Sequence, residues 1–156
     1  DALPEGAQVV HLTGRGKDEP VRAAVEAAGL SDRWHVIDYL TTMEDALAVA
    51  DLVVCRSGAG TVAEMEALGL PCIYVPLPIG NGEQRLNAAD HVAAGGAQLV
   101  DDKDFTADFV RRNVFPLLGS TRLADMAAAS QSLGRAGAAR ALADLALEQL
   151  KEAGHE

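Results

Sequence analysis

The sequence is poor in cysteine and contains no long apolar run, and both features limit what it can do. Its two cysteines do not form a C-x-x-C pair, and its four histidines are scattered without the spacing of metal ligands. A zinc site is therefore not expected, and Cys55 and Cys72 are better explained as small buried apolar residues. No apolar run approaches the length of a membrane span, and no charged-then-apolar signal segment begins the sequence. We therefore expect a cytoplasmic location without direct membrane insertion.

Positive charge is also scarce. The 156 residues include 13 Lys and Arg against 23 Asp and Glu, which gives a formal net charge of −10. Because the chain as a whole is repelled by nucleic acid and by anionic lipid headgroups, nucleic acid is not expected as a partner, although the net charge leaves room for a local basic patch. Hydrophobic residues make up 49% of the sequence, which is enough to build the core of one domain.

Strand and helix patterns alternate along the first two thirds of the sequence. The predicted strands are 8–12, 35–38, 52–55, 72–75 and 97–100, and the predicted helices between them are 19–28, 43–50, 61–68 and 83–94. This alternation predicts the α/β class, with a doubly wound, Rossmann-like parallel sheet and right-handed crossovers. Ligands bind beyond the carboxyl ends of the strands in such sheets.

The last third is predicted to be helical. Thr106 is the expected N-cap of a helix over 107–118, and two Ala- and Leu-rich helices follow, interrupted around 134–137. A possible packing stripe on the last helix consists of Leu142, Leu145 and Leu150.

The most informative segment is the strand, turn and helix over 52–64. An apolar strand leads into a turn that contains Gly58 and Gly60, and Thr61 is expected to open the helix. Glycines let the backbone turn tightly and approach a ligand, and the unpaired amides of a helix start attract an anion. Glu64 lies one turn further on, where its carboxylate can accept hydrogen bonds from a diol such as ribose. The segment therefore predicts a nucleotide site.

Four other interpretations apply to this turn. Gly58, Gly60 and Ala63 fit the G-x-G-x-x-A pattern of dinucleotide-binding folds. The next strand, however, ends in Pro76 and not in the acidic residue that this fingerprint requires. There is no G-x-x-x-x-G-K-[ST] run, and Ser57 lacks both a G-x-S-x-G elbow and a recognisable histidine partner, so a P-loop and a serine nucleophile are disfavoured. A plain strand-to-helix turn without a ligand remains open.

A second specialised loop follows the fourth predicted strand. The segment 76–88 contains two prolines and two glycines and presents Glu83 and Gln84 at a helix start. Their side chains could bind several hydroxyl groups, as sugar recognition requires. In the alternative, this is an ordinary loop in which Glu83 only favours the helix dipole. We favour sugar recognition, because both loops are expected at the same edge of the sheet.

Three motifs together closely resemble the MurG family of glycosyltransferases: R-S-G-A-G-T-V-A-E at 56–64, G-L-P at 69–71 and G-E-Q-R-L-N-A at 82–88. The resemblance extends from H-L-T-G-R-G at 11–16 to the final helices. It implies a GT-B fold of two Rossmann-like domains, of which residues 1–156 would form most of the C-terminal, donor-binding domain. The first strand and glycine-rich loop of that domain would be missing. So would the N-terminal domain, with its acceptor site and proposed catalytic base.

The resemblance also implies an activity: inverting transfer of N-acetylglucosamine from UDP-N-acetylglucosamine to lipid-linked muramyl-pentapeptide (lipid I to lipid II), without a cofactor. We expect no catalytic residue in this sequence and no transfer by it alone. The complete enzyme would be peripheral on the cytoplasmic face of the plasma membrane. The implied donor-binding residues are Tyr39, Leu40 and Met43 for uracil, Ser57, Gly58, Ala59, Gly60 and Thr61 around the diphosphate, Glu64 for ribose, and Glu83 and Gln84 for the sugar. Glu83 lies at a position where the family often has glutamine, and an ionised carboxylate cannot donate a hydrogen bond.

Two rival functions remain open at this stage. One is another GT-B UDP-sugar transferase or a nucleotide-sugar epimerase, which loss of selectivity for the N-acetyl sugar would favour. The other is a noncatalytic nucleotide-sugar sensor or interaction domain.

Overall fold

The computed structural model describes residues 3–134, which form two compact units. The first unit contains residues 3–52 and 103–123, and the second contains residues 53–102 and 124–134. The predicted stripe of Leu142, Leu145 and Leu150 lies outside the described residues.

The first unit begins with two parallel strands, each followed by a helix. Its elements are β1 (Val9–Leu12), α1 (Glu19–Ala27), β2 (Trp34–Ile37) and α2 (Met43–Ala48). β1 and β2 pair in parallel, with Val10 opposite His35. The helices turn apolar positions inward, so that Val25 and Leu47 are buried. These elements agree with the predicted ones to within one or two residues.

The second unit continues the alternation and places one strand at its centre. Its elements are β3 (Val53–Cys55), α3 (Ala59–Leu68), β4 (Cys72–Tyr74), α4 (Glu83–Asn87), α5 (Ala89–Ala93) and β5 (Ala97–Leu99). The parallel order is β3-β4-β5. All three residues of β4 are 0% exposed, which explains why this strand reads as an unbroken apolar run.

The strands are hydrogen-bonded as two sheets, although the sequence predicted a single series. β1 and β3 each pair on one side only within residues 3–134. Val10 on β1 and Val54 on β3 are each 44% exposed, which is unusual for the apolar residues of a parallel sheet.

Helix α3 begins at Ala59 and not at Thr61 as predicted. Gly58 takes the N-cap position with extended backbone angles (φ −63°, ψ 149°), so Gly60 lies inside the first turn. Glycine is unfavourable within helices by about 1 kcal/mol, which is why the sequence pattern placed the start later. The helix ends at Gly69 in the left-handed conformation (φ 67°), where the amide of Leu70 donates to the carbonyl of Met65.

The helix predicted over 83–94 is instead two short helices. The chain bends at Ala88 (φ −81°, ψ −6°), which lies in the bridge region. Tertiary contacts hold both sides of the bend, because the Asn87 side chain binds the turn before α3 and His91 is fully buried.

After β5 the helical segment is irregular. The amide of Phe109 donates to Thr106 Oγ1 at 3.2 Å, so Thr106 is the N-cap that the sequence predicted. Only Ala107–Phe109 (α6) is α-helical, however; a π-helical turn follows over Val110–Val114 and a 3-10 turn over Phe115–Leu117. Pro116 lacks an N–H group and its ring obstructs the preceding turn, so a regular α-helix could not continue to residue 118.

Helix α7 (Thr121–Leu133) ends the described part of the chain and confirms the first of the two predicted final helices. Within residues 3–134, no helix combines the length and the apolar character that crossing a bilayer requires.

Candidate functional site

The start of α3 presents backbone amides to solvent. Gly58 supplies only its carbonyl, which accepts from the amide of Val62 at 2.9 Å, and no side chain among the described residues caps the helix. Ala59 and Gly60 are exposed. Because the first amides of a helix have no partner inside it, they can bind an anion, and the helix dipole favours negative charge there. The geometry suits a phosphate group.

A buried hydroxyl lies beside these amides. Ser57 is fully buried, and its Oγ has no hydrogen-bond partner among the described residues. Leaving such a group unpaired costs about 1–3 kcal/mol. His91, the buried histidine of this unit, bonds Tyr74 and Ser130 instead. Within residues 3–134 Ser57 thus has no general base, and the nucleophilic role stays disfavoured.

The glycines of the turn are not explained by packing or by backbone strain. A Cβ on Gly60 would meet no atom within 4 Å, and one on Gly58 would meet only Thr61 Oγ1, at 3.9 Å. Neither residue has a positive φ. The turn itself therefore does not require glycine at either position. Close approach of a ligand to the backbone remains a reason for small residues here.

Glu64 lies one turn beyond Gly60 on α3 and is exposed, while Val62 and Met65 bury the other side of the helix. Its carboxylate is thus accessible near the helix start. It can accept hydrogen bonds without lying directly on the anion site.

Two side chains join the loop after β4 to the turn before α3. Arg56 donates to the carbonyls of Val75 and Pro76 at 3.0 and 3.2 Å, and Asn87 Nδ2 donates to the carbonyl of Ser57 at 3.1 Å. The prediction that both loops lie at one edge of the sheet is confirmed. Sequence reasoning assigned no role to Arg56 or Asn87, although both lie inside the motifs 56–64 and 82–88.

Gln84 is less available than predicted. Its Oε1 accepts from the amide of Leu77 at 2.9 Å, which leaves one lone pair of that oxygen and the NH₂ group to bind a ligand. The expectation of an entirely free side chain is therefore wrong, because the backbone of the loop already occupies one acceptor position of Gln84. Glu83, the first residue of α4, is exposed.

The other predicted site residues belong to the first unit, at the carboxyl end of β2. The amide of Tyr39 donates to Asp38 Oδ1 at 2.8 Å, and the Tyr39 ring is 52% exposed beneath the guanidinium of Arg15. Leu40 is half-buried. Met43 is the first residue of α2 and is 41% exposed. These side chains form an accessible, largely apolar loop.

The cysteines behave as buried residues of the sheet. The pKa of Cys72 is raised, mainly by a hydrogen bond between the two thiols and secondly by burial. The same hydrogen bond lowers the pKa of Cys55. Cys72 is fully buried and Cys55 half-buried. No group of three or more His, Cys, Asp or Glu within residues 3–134 is arranged to hold a metal ion.

Comparison with known proteins adds to this geometry. A family model described as the glycosyltransferase family 28 C-terminal domain matches residues 1–142. The chain belongs to this family. One curated relative, from Paenarthrobacter aurescens, is named UDP-N-acetylglucosamine–N-acetylmuramyl-(pentapeptide) pyrophosphoryl-undecaprenol N-acetylglucosamine transferase. It is 47% identical over 146 residues, which cover 92% of this chain and 38% of that protein. The protein of the same name from Mycolicibacterium smegmatis is 58% identical over 113 residues, covering 72% and 29%. The chain thus spans well under half the length of these relatives.

Solved structures agree. Acinetobacter baumannii MurG matches with a TM-score of 0.76 and 26% identity over 88% of this chain and 40% of that one. Glycosyltransferase VinC, solved in complex with dTDP, matches with a TM-score of 0.58 and 18% identity over 85% and 38%, and shows the fold alone. The predicted resemblance to the MurG family and the predicted parallel α/β fold are confirmed.

Proposed function

We propose that this chain is the donor-binding part of an inverting glycosyltransferase that moves N-acetylglucosamine from UDP-N-acetylglucosamine to lipid-linked muramyl-pentapeptide. The observation that carries the proposal is the uncapped start of α3, whose amides lie beside the unpartnered Ser57 hydroxyl. These amides offer donors for a diphosphate. The names of the relatives support the choice of donor and acceptor.

In this proposal the chain stabilises the leaving group. The acceptor hydroxyl attacks the anomeric carbon and gives its proton to the catalytic base of the N-terminal domain, the bond from that carbon to the diphosphate oxygen breaks, and UDP departs with the electron pair. The amides of Ala59, Gly60 and Thr61 face the charge that grows on the diphosphate. Donors fixed in advance at such a position lower the barrier without a covalent nucleophile.

The other contacts of the donor follow the family pattern. Glu64 accepts hydrogen bonds from the ribose hydroxyls. The NH₂ group of Gln84 donates to a sugar hydroxyl while its carbonyl oxygen holds Leu77. Tyr39 and Met43 pack on the uracil, and the backbone of Leu40 is its hydrogen-bond partner.

The acceptor site and the catalytic base are proposed to come from an N-terminal domain, and the complete enzyme to work on the cytoplasmic face of the plasma membrane. A further strand of the donor domain would pair with an open strand edge, such as that of β3, where Val54 is exposed. This chain alone is expected to be inactive, because it does not position the acceptor.

The test is calorimetric titration of the complete protein with UDP. Glu64→Ala should weaken binding about 10- to 100-fold, since hydrogen bonds to a charged acceptor contribute about 1.5–3 kcal/mol. Glu26→Ala, which removes an exposed acid from α1, is the matched control and should bind UDP normally. An unchanged dissociation constant for Glu64→Ala, or an equal loss in both variants, would remove Glu64 from the site.

A further inference from the structure

Two loops of the first unit bring a guanidinium against an aromatic ring. The Arg15 Cζ atom lies 4.0 Å from the centroid of the Tyr39 ring. Arg15 follows β1 and Tyr39 follows β2, and since these strands are parallel neighbours, both residues lie at the carboxyl end of the same sheet. Both are exposed, so the contact is not needed to fill a core.

The backbone holds Arg15 in place. The amide of Thr13 donates to the carbonyl of Ile37 at 3.0 Å and thereby ties the first loop to the end of β2, while the Thr13 hydroxyl lies 3.3 Å from the Gly14 carbonyl and 3.4 Å from that of Ile37. Gly14 and Gly16 flank Arg15 with φ of 84° and 71°, a region that other residues rarely adopt. The guanidinium is thus carried on a tight, anchored turn.

The chemistry of the pair suits a pyrimidine base. A cation over an aromatic face is attracted by the ring quadrupole, more strongly where solvent is excluded. A guanidinium stacked in this way also keeps the N–H groups around its edge free to donate. A bound base would exclude water from the pair, so base binding and the Arg15–Tyr39 contact should strengthen each other.

We propose that Arg15 is a positioning residue for the uracil of the donor, which it serves by holding the Tyr39 ring as a platform for the base. The inference rests on the proposed function, because it assumes that Tyr39 contacts the nucleotide. It concerns the base and not the phosphates, so it can be tested separately.

The experiment measures dissociation constants of the complete protein for uridine, UDP and inorganic pyrophosphate. Arg15→Ala should weaken the binding of uridine and of UDP by the same factor, about 3- to 30-fold, and leave the binding of pyrophosphate unchanged. Arg15→Lys should recover part of the loss, because it restores a cation without the planar guanidinium. Lys17→Ala, which removes the other cation of this turn, is the matched control and should leave uridine binding unchanged.

A double-mutant cycle tests the coupling to Tyr39. Once Tyr39→Leu is present, Arg15→Ala should cause little further loss of uridine binding. Additive losses, or a loss confined to UDP and pyrophosphate, would overturn the proposal, because Arg15 would then act on phosphate or independently of the ring. Normal uridine binding by the Arg15→Ala variant would also overturn this proposal. If the Glu64→Ala variant still weakened UDP binding, the proposed function would remain intact. If no variant alters UDP binding, both proposals fail.

Discussion

Gly96 lies against a buried chain of hydrogen bonds, and its replacement by alanine should destabilise the protein more than a single added methyl group suggests. A Cβ at this position would lie 2.5 Å from Ser130 Oγ and 2.6 Å from His91 Nε2. Both side chains are fully buried, so neither can move into solvent to make room.

The chain of hydrogen bonds explains why these side chains cannot give way without loss. Tyr74 Oη and His91 Nδ1 are 2.9 Å apart, and His91 Nε2 and Ser130 Oγ are 2.7 Å apart. Ser130 Oγ lies 3.3 Å from the carbonyl oxygens of both Leu70 and Gly96, to which its single hydrogen can donate. With the serine hydrogen used there, Ser130 accepts from the Nε2–H of His91. The chain of hydrogen bonds links β4, α5 and α7.

The magnitude follows from what the methyl group displaces. Overpacking in a core costs about 1–3 kcal/mol. Moving Ser130 or His91 aside leaves at least one buried polar group unpaired, for about 1–3 kcal/mol more. Gly96→Ala should therefore destabilise by about 2–6 kcal/mol, a large share of the 5–15 kcal/mol that is typical of folded proteins.

Urea denaturation followed by circular dichroism measures this effect. Ser130→Ala removes the hydroxyl without a clash and should cost about 1–3 kcal/mol, less than Gly96→Ala. Ser132→Ala is the matched control on the same helix, because the Ser132 hydroxyl is exposed and donates to the carbonyl of Ala129 in its own helix. A Gly96→Ala variant as stable as the wild type, or a Ser132→Ala variant as unstable as Ser130→Ala, would refute this reasoning.

Two further predictions concern the same unit. Burial lowers the pKa of His91, so its contribution to stability is present above the unfolded-state pKa of about 6.5 and is lost as the pH falls below it. Urea denaturation at pH 7.5 and 5.5 should therefore show a smaller pH dependence of stability for His91→Gln than for the wild type. An equal dependence in the two proteins would contradict the assignment. Gln84→Glu keeps the acceptor for Leu77 but loses the NH₂ donor, so it should weaken binding of UDP-N-acetylglucosamine about 10-fold more than binding of UDP; equal losses in calorimetry would place Gln84 away from the sugar.

Local patterns in the sequence were enough to predict the order of the elements. Each strand is a short apolar run, each helix has its own periodicity, and neither depends on distant residues. Burial of β4 followed from the apolar run that starts at Cys72, and the N-cap followed from Thr106. The motifs around Gly58 and Gln84 were visible for the same reason, since each is contained in a short segment.

Contacts between distant segments decided the rest. The break at Ala88 accompanies the hydrogen bond from Asn87 to Ser57, and the side chain of Gln84 is partly used because it accepts from the amide of Leu77. Sequence periodicity does not predict such hydrogen bonds, because they form only when separate loops meet in space.

The sequence by itself thus determined which elements form, that the strands are parallel, and which two loops carry the candidate donor site. Only the tertiary structure decided that His91 is paired with Ser130, 39 residues away, and that Arg15 lies over Tyr39. The physical reason is that secondary structure follows from interactions within a few residues. Which polar side chains meet is decided by how strands, helices and loops pack, and local propensity does not encode that.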